Sequence, residues 1–510
     1  MKRFLGAFLL ITFAWLTGCH DPWEDIVTEV EKIDQNLWDV IKSDTELATF
    51  VDYMEANQLD TLFEGNTPYT VFALSNEALE NYSLVAEVDT SLLKYHIYEF
   101  LIQSSNTQGT RKIRTLNRKI AVFNKSSGIY FDGHPLVYES PLYRNGKYFI
   151  MDEVAEPKPN LYDYFAKNNL VLKEYIDSQD SLALDLERSV PIGFDADGNT
   201  IYDTVSLVYN RFFTDYFEFR EEFRNKRATV VFPLAEDYEN ALTIMAQNMN
   251  SVYVDHTDIP KVWQEETLIP YLVDKGLFEN LMEPGDFFKH PEKNGIYKVK
   301  NILGDSVEIS YSPVDKFTCS NGYAYNYANF EIPDSLYNTA NRFEAETLLE
   351  ESGFDKYNWK EEVNVVSDIA LAPYREFIGS ASNDSILRVL FPPAYDGTYS
   401  VEFDSQNLFP RKYLMVIRTH MDYGGIYDIY VNDELIRTFD YRDFSLYPFG
   451  LPSVNGEDYY ILEGRFNRFD MYVDNITTFG KAKIRFDYKE PGQTSSNGLV
   501  VDYIDFVPVN

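Results

Sequence analysis

The stretch Tyr69-Thr-Val-Phe-Ala-Leu-Ser-Asn-Glu-Ala-Leu79 changes character in its middle. Residues 69–73 are β-branched, aromatic or small, a composition that favours a buried strand. Ser75, Asn76 and Glu77 then place capping oxygens and a carboxylate where a helix would begin. The stretch therefore predicts a strand that runs directly into a capped helix.

Four landmarks follow one another in order along residues 69–154. The first is the stretch above. The second is the Tyr95-His96 pair, the third is Thr115-Leu116-Asn117, which opens a strand pair, and the fourth is the closing strand within residues 145–154. Together the landmarks resemble the signatures of the fasciclin family, although Leu74 replaces the usual proline and Ser75 the usual threonine. The family-motif positions in this chain are Thr70, Val71, Phe72, Asn76, Tyr95 and His96. In the family the Tyr-His pair is linked to adhesion, and the alternative for His96 is a buried histidine bonded to neighbouring backbone.

The N-terminus combines two basic residues, an uncharged run and a cysteine. Lys2 and Arg3 precede an uncharged run, residues 4–18, which is short for a membrane span and fits a secretion signal. The run ends Leu16-Thr17-Gly18-Cys19, similar to a lipobox, which implies lipidation of Cys19. An acidic tether, residues 19–35, follows, and its start, His20-Asp-Pro-Trp-Glu-Asp25, resembles surface-export signals of Bacteroidetes lipoproteins. We expect an outer-membrane protein, anchored by lipid and facing the cell exterior.

The net charge of the chain restricts the classes of partner that it can bind. The chain of 510 residues has a formal net charge of −36. Nucleic-acid binding relies on clustered Lys and Arg, and the sequence shows no basic stripe, so we expect no nucleic-acid partner. Once Cys19 carries lipid, Cys319 has no partner for a disulfide, and we interpret Cys319 as a buried thiol.

The body of the chain contains a repeat. Asn36-Leu37-Trp38-Asp39 opens one unit and Asn160-Leu161-Tyr162-Asp163 opens a diverged second one, whose strand-to-helix junction lies at residues 228–237. We predict a multidomain α+β protein: two fasciclin domains, the second with an insertion, followed by an all-β jelly-roll-like sandwich. The predicted N-terminal segments are a signal peptide at 1–18 and the tether at 19–35. The two domains are predicted at 36–158 and 159–337, and the insertion of the second lies near 188–222. A linker at 338–366, with a helix around 342–350, leads to the sandwich at 367–510.

The segment from residue 367 onward alternates apolar and polar residues in short runs separated by turns, the pattern of an antiparallel sandwich. It resembles galactose-binding-like modules and carbohydrate-binding modules. Its loops are rich in aromatic residues, so a sugar ring could stack on tyrosine while polar neighbours bond its hydroxyls. The alternative is that these tyrosines cover the ends of the sandwich. The predicted ligand-binding residues are Tyr423, Tyr441, Tyr447, Asp422, Asn432 and Arg442.

Catalytic and metal-binding patterns are scarce in the sequence. Its 6 histidines are scattered, and the signatures of hydrolases, metalloproteases and nucleotide-binding loops do not occur, so we expect no cofactor and no metal. Asp195-Ala-Asp-Gly-Asn199 is interpreted as a hairpin turn, with a calcium loop as the alternative. Six Asp-Ser or Asp-Thr steps followed by an apolar residue resemble Bacteroidetes O-glycosylation sites, although helix capping also explains such steps.

Two hypotheses for function follow. The first is a non-enzymatic surface lipoprotein for adhesion or for binding a ligand, a glycan or a peptide. Lipoproteins of this kind often accompany SusC/SusD-type uptake systems, so such transporter proteins are the implied partners. The second is an enzyme, such as a glycan hydrolase, that acts on an extracellular polymer.

Overall fold

The computed structural model describes residues 32–185, 187–288, 297–420, 424–440, 466–492 and 498–509. The chain divides into two units, which are described separately. The first comprises residues 1–232 and 274–326, and the second comprises residues 233–273 and 327–510. Within the described ranges, no helix is both long and apolar enough to cross a membrane. Cys19 and the predicted signal peptide, residues 1–18, lie outside the described residues.

The strand Tyr69–Leu74 belongs to the first sheet, and all six of its residues are buried. It pairs in parallel with the strand Gly146–Met151 and antiparallel with Ile97–Tyr98. Ser75 caps the helix Asn76–Ser83, because its side chain accepts a hydrogen bond from the Ala78 amide. The predicted strand running into a capped helix is confirmed.

Short helices cover this sheet, and a meander of strands extends it. Thr115-Leu116-Asn117 lies in the turn between the strands Gly109–Arg114 and Ile120–Lys125 rather than inside either of them. The α-helices of this part are Leu37–Ser43, Ala48–Ala56, Asn76–Ser83 and Thr90–Tyr95, and its strands are Lys32–Ile33, Tyr69–Leu74, Ile97–Tyr98, Gly109–Arg114, Ile120–Lys125, Ile129–Phe131, His134–Glu139, Leu142–Tyr143 and Gly146–Met151.

Phe72 is the aromatic centre of this core. Its side chain is fully buried, and its ring stacks on Phe131 and Phe149 with centroid distances of 4.0 and 5.7 Å. Gly146 allows the close approach of the two parallel strands, because a Cβ at this position would lie 2.1 Å from the carbonyl oxygen of Tyr69. Its φ of +142° is also disfavoured for other residues.

The second repeat reproduces individual hydrogen bonds of the first. The side-chain oxygen of Asn145 accepts from the Leu37 amide at 2.8 Å, and that of Asn321 accepts from the Leu161 amide at 2.8 Å. A Cβ on Gly322 would lie 2.3 Å from the carbonyl oxygen of Ala228. The closing strand of each repeat thus approaches its junction strand through a glycine, so the two repeats share this packing.

The elements of the second repeat follow the same order, with an insertion. Its sheet contains the strands Leu277–Phe278, Ala228–Pro233, Gly322–Tyr327 and Val314–Thr318. Further elements of this stretch are the α-helices Leu161–Asn168, Leu170–Ser178, Arg211–Asp215, Ala235–Asn248, Lys261–Trp263 and Ile269–Gly276, and the strands Lys298–Lys300 and Ser306–Glu308. Cys319, just before the closing strand, is buried, as expected.

The insertion is a two-stranded ribbon that begins before residue 188. Asp180–Leu184 pairs with Ser206–Asn210, and Val190–Phe194 pairs with Thr200–Asp203. Asp195 closes the turn by accepting from the Asp197 and Asn199 amides, so the predicted hairpin turn is confirmed. Many apolar side chains of the ribbon are exposed, among them Leu182, Ile192, Phe194 and Val208.

The second unit combines helices with a β-sandwich. Trp263 and Tyr253 meet Phe409 edge-on, with centroid distances of 5.4 and 6.3 Å. The sandwich core packs residues such as Ile417 and Ile484 from different sheets. The four-stranded sheet has the strand order Asn341–Glu344, Tyr503–Pro508, Tyr413–His420 and Phe466–Val473. The five-stranded sheet has the order Asn364–Ser367, Tyr399–Leu408, Gly480–Glu490, Ile426–Val431 and Glu434–Asp440. The three-stranded sheet has the order Pro373–Phe377, Ser385–Leu390 and Gly498–Val501, and a hairpin pairs Leu349–Gly353 with Lys356–Trp359.

The helix predicted around residues 342–350 is wrong. Asn341–Glu344 is a strand that pairs with Tyr503–Pro508, and a short 3₁₀ turn and the hairpin strand Leu349–Gly353 follow it. The guanidinium of Arg342 forms two hydrogen bonds with the carboxylate of Asp505, at 2.8 and 2.9 Å. Pairing with the sandwich therefore overrides the local charge pattern that suggested a helix.

Candidate functional site

The Tyr95-His96 pair lies inside the first domain. His96 is fully buried, with Nδ1 2.9 Å from the carbonyl oxygen of Leu92. Its Nε2 accepts from the Ala155 amide at 3.4 Å, so Nδ1 carries the proton of a neutral ring. Burial lowers the pKa of His96 to about 4. These contacts match the structural interpretation of His96 rather than a surface contact in adhesion.

The other family-motif residues also have structural roles. The Thr70 hydroxyl donates to the Phe100 carbonyl and accepts from the Ile102 amide. The Asn76 side chain holds the chain near residues 45–49, because it accepts from the Thr49 amide and donates to the Thr45 carbonyl. Val71 and Phe72 are fully buried. These contacts give the four positions a structural role in the domain.

Most of the predicted ligand-binding residues, namely Asp422, Tyr423, Tyr441, Arg442 and Tyr447, lie outside the described residues. Asn432 lies at the turn between Ile426–Val431 and Glu434–Asp440, with a φ of +49°. Its side-chain oxygen accepts from the Lys483 amide at 3.0 Å. Asn432 therefore fastens this turn to the neighbouring strand.

The outward face of the five-stranded sheet carries a connected polar network around Arg485. The Arg485 guanidinium lies over the Tyr430 ring, 4.2 Å from its centroid. It also contacts three carboxylates, with N···O distances of 2.9 Å to Asp433, 3.4 Å to Glu402 and 3.3 Å to Asp487. Register places Tyr430 and Glu402 opposite Arg485 on the two neighbouring strands.

The network continues along the same face. The Ser400 hydroxyl donates to the Asp487 carboxylate at 2.6 Å. Thr438 donates to Asp428, and the Lys489 ammonium lies 3.2 Å from Asp428. A tyrosine ring framed by carboxylates, hydroxyls and a guanidinium offers both the apolar contact and the directed hydrogen bonds that sugar rings require. We call this set, from Ser400 to Lys489, the polar sheet face.

The described part of the chain contains no group of side chains arranged to bind a metal ion. Its His, Cys, Asp and Glu side chains form no cluster of three that could hold a metal ion. The calcium alternative for residues 195–199 is accordingly not supported by these residues. The Asp195 carboxylate is instead occupied by its own turn, whose hydrogen bonds lower its pKa.

Fold and site define a mixed α+β protein, mostly β, in which two α+β repeats precede a β-sandwich with a polar face. Residues 45–157 match the family model of the Fasciclin domain. Comparison with curated protein sequences gives no match.

Several solved structures are similar to parts of the chain. A Paenibacillus xanthan lyase is 18% identical with a TM-score of 0.23, and the match covers 37% of this chain but only 16% of the lyase. A FAS1 domain pair of insect Fasciclin I is 12% identical with a TM-score of 0.21, covering 57% of this chain and 98% of the pair. A family 35 carbohydrate binding module of Clostridium thermocellum is 12% identical with a TM-score of 0.20, covering 34% of this chain and 99% of the module.

Proposed function

We propose that this chain is a non-enzymatic cell-surface lipoprotein that binds glycans through its C-terminal sandwich. The observation that carries the proposal is the polar sheet face, where Arg485 joins the Tyr430 ring to Glu402, Asp433 and Asp487. The match of residues 45–157 to an adhesion-type domain supports a role in attachment. The lipobox-like Leu16-Thr17-Gly18-Cys19 supports the membrane anchor.

The accessory role beside a SusC/SusD-type transporter belongs to the same proposal. A lipid-anchored glycan binder next to an uptake channel would raise the local concentration of substrate. Purification of the tagged full chain from outer membranes, with identification of co-purifying proteins, tests this part. Recovery of a transporter pair supports the accessory role, and recovery of the chain alone argues against it.

Glycan binding is tested with the purified full chain on a panel of soluble polysaccharides. Tyr430→Ala should lower affinity about tenfold, since aromatic contacts are a main source of sugar affinity. A matched control is Tyr472→Ala on the four-stranded sheet, because Tyr472 is 62% exposed and also carries a cation, Lys412, 4.5 Å from its ring centroid. Equal binding by both variants would place the glycan elsewhere, and absence of binding to every polysaccharide would contradict the proposal.

A further inference from the structure

A basic cluster lies in the first unit of this acidic chain. It comprises Arg111 and Lys112 on the strand Gly109–Arg114, and Arg224, Lys226 and Arg227 in the segment before the strand Ala228–Pro233. The two segments belong to different repeats and are far apart in sequence. Only folding brings them together.

Hydrogen bonds join the two segments of the basic cluster. The guanidinium groups of Arg111 and Arg224 both reach the hydroxyl of Tyr98, at 3.5 and 3.3 Å. The Lys112 ammonium donates to the Arg224 carbonyl at 3.4 Å. Two guanidinium groups thus share the hydroxyl of Tyr98, which carries no negative charge. The contacts that hold the cluster together therefore leave its positive charge uncompensated.

Basic residues close to the cluster in sequence form ion pairs with carboxylates. Arg220 pairs with Asp177 at 2.7 Å, and Lys119 pairs with Glu222 at 3.1 Å. In contrast, none of the five side chains of the basic cluster forms an ion pair within the described ranges, although the chain contains 81 acidic residues. Burial and the nearby charge of Arg227 lower the pKa of Lys112. Unpaired like charges at close range cost free energy, which a bound anion would recover.

The cluster opens onto a pocket of about 510 Å³. This volume lies within the range of small-ligand sites, about 300–1,000 Å³. Lys112, Lys226 and Arg227 line it together with Tyr216, Phe217 and Asn225. Among the described residues that line it, Glu279 supplies the one carboxylate, so three cations there face one anion.

We propose that this pocket binds a short oligosaccharide bearing carboxylate or sulfate groups. The cations suit the oxyanions, the partly exposed Tyr216 offers apolar contact to a sugar ring, and the Asn225 amide suits hydroxyl groups. A long polyanion such as nucleic acid is disfavoured, because the chain as a whole carries a formal charge of −36 and would repel it. The proposal goes beyond glycan binding at the polar sheet face, which lies in the other unit and can fail independently.

Calorimetry with the full chain tests the pocket, using trigalacturonic acid, a sulfated disaccharide and neutral maltotriose as probes. At least one acidic probe should bind, the neutral one should not, and added salt should weaken the binding. The double variant Lys226→Gln with Arg227→Gln should weaken it about tenfold or more, since charge-assisted hydrogen bonds are lost. Tyr430→Ala should leave it unchanged, which separates this site from the polar sheet face.

The matched control is Arg188→Gln with Arg211→Gln, which removes two cations whose side chains are each 74% exposed and which lie on or beside the ribbon. It changes the net charge equally and should leave affinity unchanged. Equal weakening by both double variants would show a general charge effect and overturn the proposal. Equally tight binding of maltotriose, no binding of either acidic probe, or full displacement by inorganic phosphate at matching concentration would also overturn it. Unchanged thermal unfolding of the variants shows that they are folded.

Discussion

The guanidinium of Arg224 donates a hydrogen bond to the hydroxyl of Tyr98, a residue 126 positions earlier in the chain. The N···O distance is 3.3 Å, and Tyr98 is almost fully buried. The contact ties the segment before the second junction strand to the sheet of the first repeat. The two repeats therefore share one surface, on which the basic cluster is built.

The first prediction concerns the core of the first domain. Phe72→Ala removes a fully buried ring that stacks on Phe131 and Phe149. We expect a loss of about 3–5 kcal/mol in the free energy of unfolding, the usual cost of deleting a buried aromatic side chain. The control is Phe100→Ala, because Phe100 is 60% exposed. Similar denaturant midpoints for Phe72→Ala and the unmodified chain would contradict the packing described.

The second prediction concerns pH. Burial lowers the pKa of His96 to about 4, from an ordinary value of 6.5. Between these values the unfolded state binds a proton that the folded state excludes, so stability falls as pH drops from about 6.5 to about 4. The loss should reach about 3 kcal/mol and level off below that range.

The pH prediction is checked by denaturant titrations across this range. His96→Gln should flatten the pH dependence, whatever its effect on absolute stability. His134→Gln is the control, since His134 is partly exposed and pairs with Glu153. An unchanged slope in His96→Gln would show that another group causes the effect.

The third prediction concerns the thiol of Cys319. Burial raises its pKa to about 12, so little reactive thiolate exists at pH 8. In a Cys19→Ala chain, Cys319 is the remaining cysteine. We expect no reaction with a thiol reagent during the time in which glutathione reacts completely, and full reaction after denaturation. Rapid labelling of the folded chain would mean that Cys319 is accessible.

The fourth prediction tests the equivalence of the repeats. Gly322→Ala would place a methyl group 2.3 Å from the Ala228 carbonyl oxygen and 2.8 Å from a Leu161 methyl carbon. Because the backbone must shift, we expect a destabilisation of about 1–3 kcal/mol or more. Gly285→Ala is the control, since nothing lies within 4 Å of its added carbon. Thermal unfolding that ranks the two variants alike would count against the shared packing.

The fifth prediction concerns the anchor. Cys19→Ala should abolish lipid attachment and release the chain from membranes. Cell fractionation and labelling with palmitate measure this directly. A variant that still labels and fractionates with the outer membrane would show that the lipobox interpretation is wrong.

Elements with strong local chemistry were predictable from sequence. The strand Tyr69–Leu74 combines buried side chains with a serine cap, and the Asp195 turn satisfies its own amides. The segment 342–350 was not predictable in this way. Its charges suggested a helix, whereas Arg342 pairs with Asp505, which lies 163 positions away.

The candidate sites depend still more on distant contacts. The sequence shows no basic stripe, because Arg111-Lys112 and Lys226-Arg227 are separate short runs that only the packing of the repeats unites. The occurrence of these two basic runs in an acidic chain was the feature of the sequence that could have indicated the basic cluster. For the polar sheet face, the alternation of Lys483, Arg485 and Asp487 indicated an exposed face but not its neighbours.

The division of the chain has a consequence for the order in which it folds. The backbone passes between the two units after residues 232, 273 and 326. In N-to-C synthesis or export, the first unit has all its residues once Asn326 has emerged, whereas residues 233–273 must wait for the strands that follow. At about 5–20 residues per second this wait lasts on the order of tens of seconds. During that interval the apolar sides of Trp263 and Tyr253 lack Phe409, so this early segment is where a holding chaperone would be needed.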